Sequence, residues 1–473
     1  MSPRAVQAFR GIHYGRPANP GDRFSTLVDP APGERSEPAA FPQLPGGLDW
    51  LLGPALAELP QREDAFQLNV FAPEGASGLP VLFYIPGGAF ISGAGTVRWY
   101  DGGRLAAEGS CVVVSVNYRL GMLSHAGEIG GGNLGLSDLV QALRWVRGNI
   151  ASYGGDAGKV TLVGQSAGAF YAFALSQLEE TRGMVARTAL LSLAFQPPLD
   201  TAETAGRRAL AADVLEGKDP SAVGINRLLE AQARIGRAHA GKGLGIMPSA
   251  DETMPADLFA PGAAARRLHV DELLLTHTAS EASAFLGQAP EAAFDPSAVA
   301  GFLRAHFEDP QAVGTHLAAL NPESPKAQLA GAMTLHQFET YATELALAVQ
   351  AAGRKAACVR FEHAARDVRM GAAHGFDVPF LFGNRLDWAD SPMLEGTIEE
   401  EFEAVGAHLR SLVLGFVNEG WGGVPNSTGV RPLNGADPHG YALDARGVRR
   451  VPLADRFAAK RGGAERRRRQ LTG

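Results

Sequence analysis

Five residues, Gly164-Gln165-Ser166-Ala167-Gly168, have the types and spacing of a nucleophile held on a sharp turn. A serine hydroxyl attacks a carbonyl group well only when it is raised clear of its surroundings, with a base and oxyanion donors at hand. Lys159-Val-Thr-Leu-Val before it reads as a strand, and Ala169-Phe-Tyr-Ala-Phe-Ala-Leu after it as a helix. Ser166 therefore falls at a strand-to-helix turn. Glycines two residues to either side, Gly164 and Gly168, leave room for the crossing backbone, and the helix N-terminus aims its amides at developing negative charge.

Upstream, Leu79-Pro-Val-Leu-Phe-Tyr-Ile reads as a strand that ends in Pro86-Gly87-Gly88-Ala89-Phe90. A Gly-Gly-small turn there frees backbone N–H groups. The amides of Gly88 and Ala89, with that of Ala167 directly after the nucleophile, form the expected oxyanion hole.

An acid and a base must follow, each in a loop beyond a strand's C-terminal end. The strand Glu272–Thr276 leads into His277-Thr-Ala-Ser-Glu281, which makes Glu281 the candidate acid; Asp271 and Glu272 open the same strand and sit at its wrong edge. The strand Cys358–Glu362 is followed by Gly371-Ala-Ala-His374-Gly-Phe, whose small residues let an imidazole approach another backbone. His374 is the candidate base. Its competitor His363 lies among Glu362, Arg366, Asp367 and Arg369 and reads as a surface residue. His269, His306, His316 and His336 stand in strand or helix contexts and read as structural.

In this reading His374 takes the Ser166 proton during attack on an ester carbonyl, and Glu281 fixes the imidazole's tautomer and steadies its charged form. An acyl-enzyme forms, the alcohol leaves, and water completes the turnover. The chemistry needs no metal and no organic cofactor.

Strand candidates Gln67–Phe71, Val81–Ile85, Cys111–Asn117, Val160–Val163, Ala189–Leu193, Glu272–Thr276 and Cys358–Glu362 position these groups. Several are apolar without alternation, as strands buried on both faces should be. Ser137–Ser152 carries Leu139, Leu143, Val146 and Ile150 at helical spacing, with Ser137 as N-cap. Strand–helix–strand alternation predicts a mostly parallel, doubly wound sheet, and the Ser166 turn set between a strand and a helix makes the expected fold that of an α/β-hydrolase. The first 65 residues, rich in Pro and Gly, read as irregular surface. Ala-rich stretches at about 200–270 and 282–356 predict helical insertions forming a lid. One domain over 1–460 and a basic, disordered tail over 461–473, with Arg466–Arg469, is the economical organisation.

Net charge −7 excludes a basic nucleic-acid face. Two cysteines, Cys111 and Cys358, are too few for a disulfide framework and sit in apolar runs. No secretory leader opens the chain and no window reaches about 20 apolar residues, so a cytoplasmic location away from membranes is expected. The expected partner is a small-molecule ester; oligomeric state is not specified.

The residues also resemble type B carboxylesterases, the group that includes acetylcholinesterase and bacterial nitrobenzyl esterases. The resemblance runs from about residue 9 to 385, through Phe9-Arg-Gly-Ile-His-Tyr-Gly, Glu63-Asp-Ala-Phe-Gln-Leu-Asn-Val, Pro86-Gly-Gly-Ala-Phe, Asn117-Tyr-Arg-Leu-Gly, Asn133-Leu-Gly-Leu-Ser-Asp, Tyr153-Gly-Gly-Asp, the Ser166 turn, Glu281, and Gly371-Ala-Ala-His-Gly-Phe-Asp-Val-Pro-Phe-Leu-Phe-Gly. It implies the same triad and oxyanion donors, and a structural pairing of Glu63 with Arg119. The chain departs from the family pattern at several points. Ala65 stands where a disulfide cysteine is usual, Gln165 where Glu is usual, and Pro86 where His, Tyr or Trp opens the oxyanion loop. Leu193–Ala194 replaces Ser-Gly, removing a polar group behind the site; Ala282 replaces Gly; and no Trp-Pro signature appears beyond residue 420. Amide, carbamate or thioester cleavage on the same triad, and a non-catalytic binding or scaffold role for the fold, are the alternative readings.

Overall fold

The computed structural model describes residues 5–125, 133–241, 243–435, 437–454 and 457–460. The expected basic tail at Arg466–Arg469 lies outside the described residues. Strands β1 (Val6–His13), β2 (Gln67–Pro73), β3 (Leu79–Ile85), β4 (Val112–Val116), β5 (Gly155–Gln165), β6 (Arg187–Leu191), β7 (Glu272–Thr278), β8 (Lys355–Phe361), β9 (Gly440–Asp444) and β10 (Gly447–Val451) form one ten-stranded sheet. Its spatial order is β1-β2-β4-β3-β5-β6-β7-β8-β9-β10. Strands β4 through β9 in that order pair in parallel, while β1, β2 and β10 pair antiparallel at the two ends.

The apolar runs explain the architecture. Val81, Phe83 and Ile85 of β3 enter one hydrophobic layer and Leu82 and Tyr84 the other. In β4 the same division puts Val112, Val114 and Val116 on one side and Val113 on the opposite side. Strands buried on both faces have no need of polar alternation, and helices must cover each face.

Besides Gly103–Gly109, which packs on β1, β2 and β4, the helices include α1 (Gly121–His125), α2 (Leu134–Asn149), α3 (Ala167–Leu175), α4 (Thr201–Leu215), α5 (Ile225–Ala238), α6 (Pro261–Arg267), α7 (Pro296–His306), α8 (Pro310–Leu320), α9 (Pro325–Thr334), α10 (Thr340–Ala351), α11 (Val378–Phe382) and α12 (Glu399–Glu419), of which α7–α9 pack into a cluster of their own. Helices α4–α6 and α7–α10 occupy much of the two Ala-rich stretches, while residues 243–260 between α5 and α6 form turns and bends. The helix starts are chemically marked. Asp295-Pro296, Asp309-Pro310 and Ser324-Pro325 each put a capping oxygen on an N-terminal amide of α7, α8 or α9, followed by a proline at the first helical position. A π-helical turn, Leu335–Glu339, links α9 to α10. Among the described residues no helix is long and apolar enough to cross a membrane.

Several expectations are corrected. The N-terminal region is not all irregular: β1 pairs with β2 along the sheet edge despite the prolines and glycines that follow it. Helix α2 begins at Leu134 rather than at Ser137, because buried Leu134 and Leu136 already belong to its apolar face and Asn133 holds the N-cap position. Strand β6 stops at Leu191 because Ser192 turns to φ 54° and donates its N–H to the Thr276 carbonyl at 2.7 Å. Beyond residue 420, β9 and β10 extend the sheet from a region where no strand was expected.

The implied Glu63–Arg119 pair is replaced by another. Arg119 and Asp138 form a buried ion pair at 2.6 Å, and the Arg119 guanidinium also donates to the Arg23 and Ser25 carbonyls. Glu63 pairs instead with Arg23 at 3.0 Å, nearer the surface. A buried guanidinium needs its charge and its N–H groups satisfied together, and Asp138, on α2 directly beneath it, supplies a bidentate carboxylate. Cys111 and Cys358 are buried free thiols, each pushed up to about 12 by burial, and behave as small core residues.

Candidate active site

Ser166 sits between β5 and α3 at φ 57°, ψ −120°, a conformation that L-residues hold only under constraint. The constraint is visible. The Ser166 N–H donates to the Leu191 carbonyl of β6 at 2.9 Å, and the Ser166 carbonyl accepts from Phe170 in α3. A Cβ on Gly168 would overlap the Ile85 carbonyl, and one on Gly164 the Gly168 carbonyl. Glycine is required at both places because β3, β5 and α3 meet there in backbone contact.

The expected oxyanion loop follows β3. Gly88, Ala89 and Phe90 all have positive φ, at 130°, 53° and 66°. Two consecutive non-glycine residues in this region cost on the order of 1–3 kcal/mol each, and the surroundings hold them there. The Gly88 carbonyl accepts from both Ile91 and Ser92, the Tyr118 hydroxyl donates to the Pro86 carbonyl at 2.8 Å, and the Phe90 ring packs edge-on against Phe170 and Tyr171. Among the described residues, none of the amides of Gly88, Ala89 and Ala167 donates a hydrogen bond within the protein. Two orphan donors on the loop after β3 and a third at the start of α3, beside a strained serine, suit an anionic oxygen.

His374 and Glu281 are brought together. His374 Nδ1 lies 2.5 Å from Glu281 Oε2, and the Thr278 N–H donates to Glu281 Oε1 at 2.7 Å. Both side chains are buried. Burial pushes the Glu281 carboxyl up, but the imidazole, the Ser192 hydroxyl and the Thr278 amide outweigh it and leave the pKa below the ordinary glutamate value. Their loops are stitched to each other: Ser280 N–H donates to the Ala372 carbonyl at 3.0 Å, and Ala279 N–H to the Phe361 carbonyl at 2.9 Å.

On the other side of the ring, Gln165 Nε2 stands 3.3 Å from His374 Nε2. With the amide donating to Nε2, the ring proton resides on Nδ1 and points to Glu281. The residue adjoining Ser166 therefore touches the imidazole that Glu281 orients. The Phe285 and Phe338 rings lie 5.2 Å and 5.5 Å from the imidazole; Phe285 is half exposed and Phe338 is carried by the π-helical turn.

His363 is not a surface residue. It is 8% exposed, lies parallel to the Phe376 ring at 5.9 Å, and has its Nδ1 3.9 Å from Glu401. Its charged neighbours turn outward into pairs of their own, among them Arg360–Glu362 and Arg366–Glu401, while the imidazole tucks under them; burial lowers its pKa.

Two groups escaped sequence reasoning. Leu193 is buried, as a polar position lost, yet the neighbouring Ser192 turns its hydroxyl toward Glu281, in a geometry short of a full hydrogen bond. Asp377, three residues past His374, is completely buried with neither carboxylate oxygen hydrogen-bonded. Burial, reinforced by the Glu281 charge and only partly offset by His374, raises its pKa to about 7. The available signal was a lone acid inside the apolar run Ala372-Ala-His-Gly-Phe-Asp-Val-Pro-Phe-Leu-Phe.

Comparison with known proteins adds a separate line of observation. Residues 1–214 match the model of the carboxylesterase family. A probable N-octanoylanthranilate hydrolase from Rhodococcus erythropolis is 33% identical over 88% of this chain and 89% of its own. A phenmedipham hydrolase from Pseudarthrobacter oxydans is 30% identical over 88% and 87%. A para-nitrobenzyl esterase from Bacillus subtilis is 41% identical over 38% of each chain. Among solved structures, a thermophilic PNB esterase superposes with a TM-score of 0.78 at 26% identity, covering 98% of this chain and 96% of the other.

Proposed function

Because the chain belongs to the carboxylesterase family and so is a carboxylic ester hydrolase, we propose that it works through an acyl-enzyme on Ser166 with His374 as base and Glu281 as the orienting acid. His374 Nε2 accepts the hydroxyl proton as Ser166 Oγ attacks the ester carbonyl, and Nδ1–H to Glu281 holds the ring and steadies its cationic form. The oxyanion accepts from the amides of Gly88, Ala89 and Ala167. His374 returns the proton to the departing alcohol and then activates water to release the acid.

One observation carries this reading: the buried His374–Glu281 pair reaches the residue adjacent to a serine held at φ 57°. A small-molecule ester is the partner in this reading. A cytoplasmic location belongs to it as well, since two buried free thiols ask nothing of an oxidising compartment.

A second reading has a specific observation in its favour. The full-length relative from Rhodococcus erythropolis is named for hydrolysis of an N-acyl compound, and the same triad serves amide cleavage. Both are tested together by a panel of nitrophenyl esters and nitroanilides of increasing acyl length, run on wild type and Ser166→Ala. Esters are expected to turn over and the variant to lose roughly 10⁶ in kcat. A fluorophosphonate should label wild type stoichiometrically at Ser166; equal labelling of Ser166→Ala would overturn the assignment.

A further inference from the structure

A cavity of about 860 Å³ lies between α1, α4 and α5, closed by segments 21–24 and 246–249. It lies within the range of roughly 300–1,000 Å³ that small-molecule sites occupy. None of Ser166, His374, Glu281, Gly88 or Ala89 lines it. Part of its wall is apolar, with Met122, Leu199, Leu215, Ile235, Ile246 and Met247 all buried, and His125, Thr204 and Ser249 line it as well. Helix α5 sets Leu228, Ala231 and Ile235 along one buried face, and Ile235 also lines the cavity. Apolar groups that face a space of this size lose dispersion contacts that a filling chain would restore.

The rim has the opposite chemistry. Arg207, Arg208 and Lys218 stand there, against Asp22 and Asp219. Both acids are engaged locally, Asp22 with the Phe24 amide and Asp219 with the Ser221 amide and hydroxyl. Lys218 is paired with Glu216, and Arg207 donates to the Leu244, Gly245 and Glu203 carbonyls. Arg208 is exposed. With Glu216 counted beside Lys218 the rim charges balance, and Arg208 is the rim cation without an ion-pair partner among the described residues.

We propose that the cavity is a second ligand site for an amphiphilic carboxylate, with an unbranched apolar chain between α4 and α5 and the carboxylate at Arg208. This is the chemical class that ester hydrolysis releases. The cavity adjoins the expected oxyanion loop: α1 begins at Gly121, whose N–H donates to the Phe90 carbonyl at 2.7 Å, and the next residue, Met122, lines the cavity.

The test is calorimetric titration of sodium decanoate into protein whose Ser166 is capped by a fluorophosphonate, at low ionic strength. Saturable binding to the capped protein is expected. Ala211→Trp fills the cavity and should weaken binding about tenfold or more. Arg208→Glu should weaken decanoate about tenfold while leaving 1-decanol within about twofold, because only the carboxylate meets the reversed charge. Both variants should hydrolyse a short ester like wild type, which reports that they are folded. Loss of decanoate binding on capping Ser166, or unchanged binding in both folded variants, or no binding at millimolar ligand would overturn the proposal.

Discussion

The side-chain amide of Gln165 stands 3.3 Å from the Nε2 atom of His374, on the face of the imidazole opposite Glu281. A neutral group thus occupies the place where, by the resemblance described above, a glutamate is usual. A carboxylate there would favour the protonated ring, and kcat/KM requires the neutral ring. Gln165→Glu should therefore move the acidic limb of the pH–rate profile to higher pH. An unmoved limb, in a variant whose introduced carboxyl is shown by infrared spectroscopy to be ionised, would mean that this position does not act on His374.

The two buried histidines of the late loops make opposite predictions. His374→Ala should lose about 10⁴-fold or more in kcat, since the base and its orienting acid act as one unit. His363→Ala opens a small void against Phe376 and should lower thermal stability while sparing the rate. Kinetics and melting curves on the two variants separate them; a reversed ranking in kcat would assign the base to His363.

Asp377 predicts a stability change with a definite sign. Its folded pKa, raised to about 7 from 3.8, means that the folded state holds this proton while the unfolded chain has released it. Stability contributed by the protonated form is complete below about pH 4 and is lost progressively as pH rises toward 7. Asp377→Asn removes that loss. The melting temperature of the variant relative to wild type should climb between pH 4 and pH 7, and a flat or falling difference would show that Asp377 is ionised throughout.

The Arg119–Asp138 pair supplies a fourth test. Asp138→Ala strands a buried guanidinium and should cost about 3–5 kcal/mol in denaturant unfolding. Glu63→Ala removes only a part-exposed partner of Arg23 and should cost about 1 kcal/mol or less. Equal costs would restore the Glu63 pairing.

The elements that carry chemistry were legible because they obey local rules. The turn at Ser166 needs small residues at fixed offsets, and the apolar runs of β3 and β4 admit no other use in a chain of this length. The Glu281–His374 contact could be anticipated because two residues separate Glu281 from β7, and His374, with twelve residues between it and β8, lies in a run of small residues. Pairings set in three dimensions were less legible. Asp138 was in view as the last residue of Asn133-Leu-Gly-Leu-Ser-Asp, but which acid meets Arg119 depends on how α2 passes beneath β4. The burial of His363 depends on an aromatic ring, Phe376, in a loop thirteen residues on. β1 was hidden by the prolines that follow it, because an edge strand makes its ladder with one neighbour only and leaves a weaker apolar signature.

The two ends of the sheet bear on how this protein behaves at high concentration. Among the described residues no strand lies beyond β10, whose outer edge is a template on which another copy could add a strand, whereas the outer edge of β1 is partly met by residues 34–36, where the His13 N–H donates to the Glu34 carbonyl and the Gly11 carbonyl accepts from Ser36. The central residues of β10 are Arg449 and Arg450, held by Glu362 and Asp437, and β1 carries Arg10 paired with Asp101. Joining two such edges would strip water from these ion pairs and set like charges side by side. The arginines thus discourage edge-to-edge association, and replacing Arg449 and Arg450 with valine would make the β10 edge a nucleus for aggregation, far from Ser166.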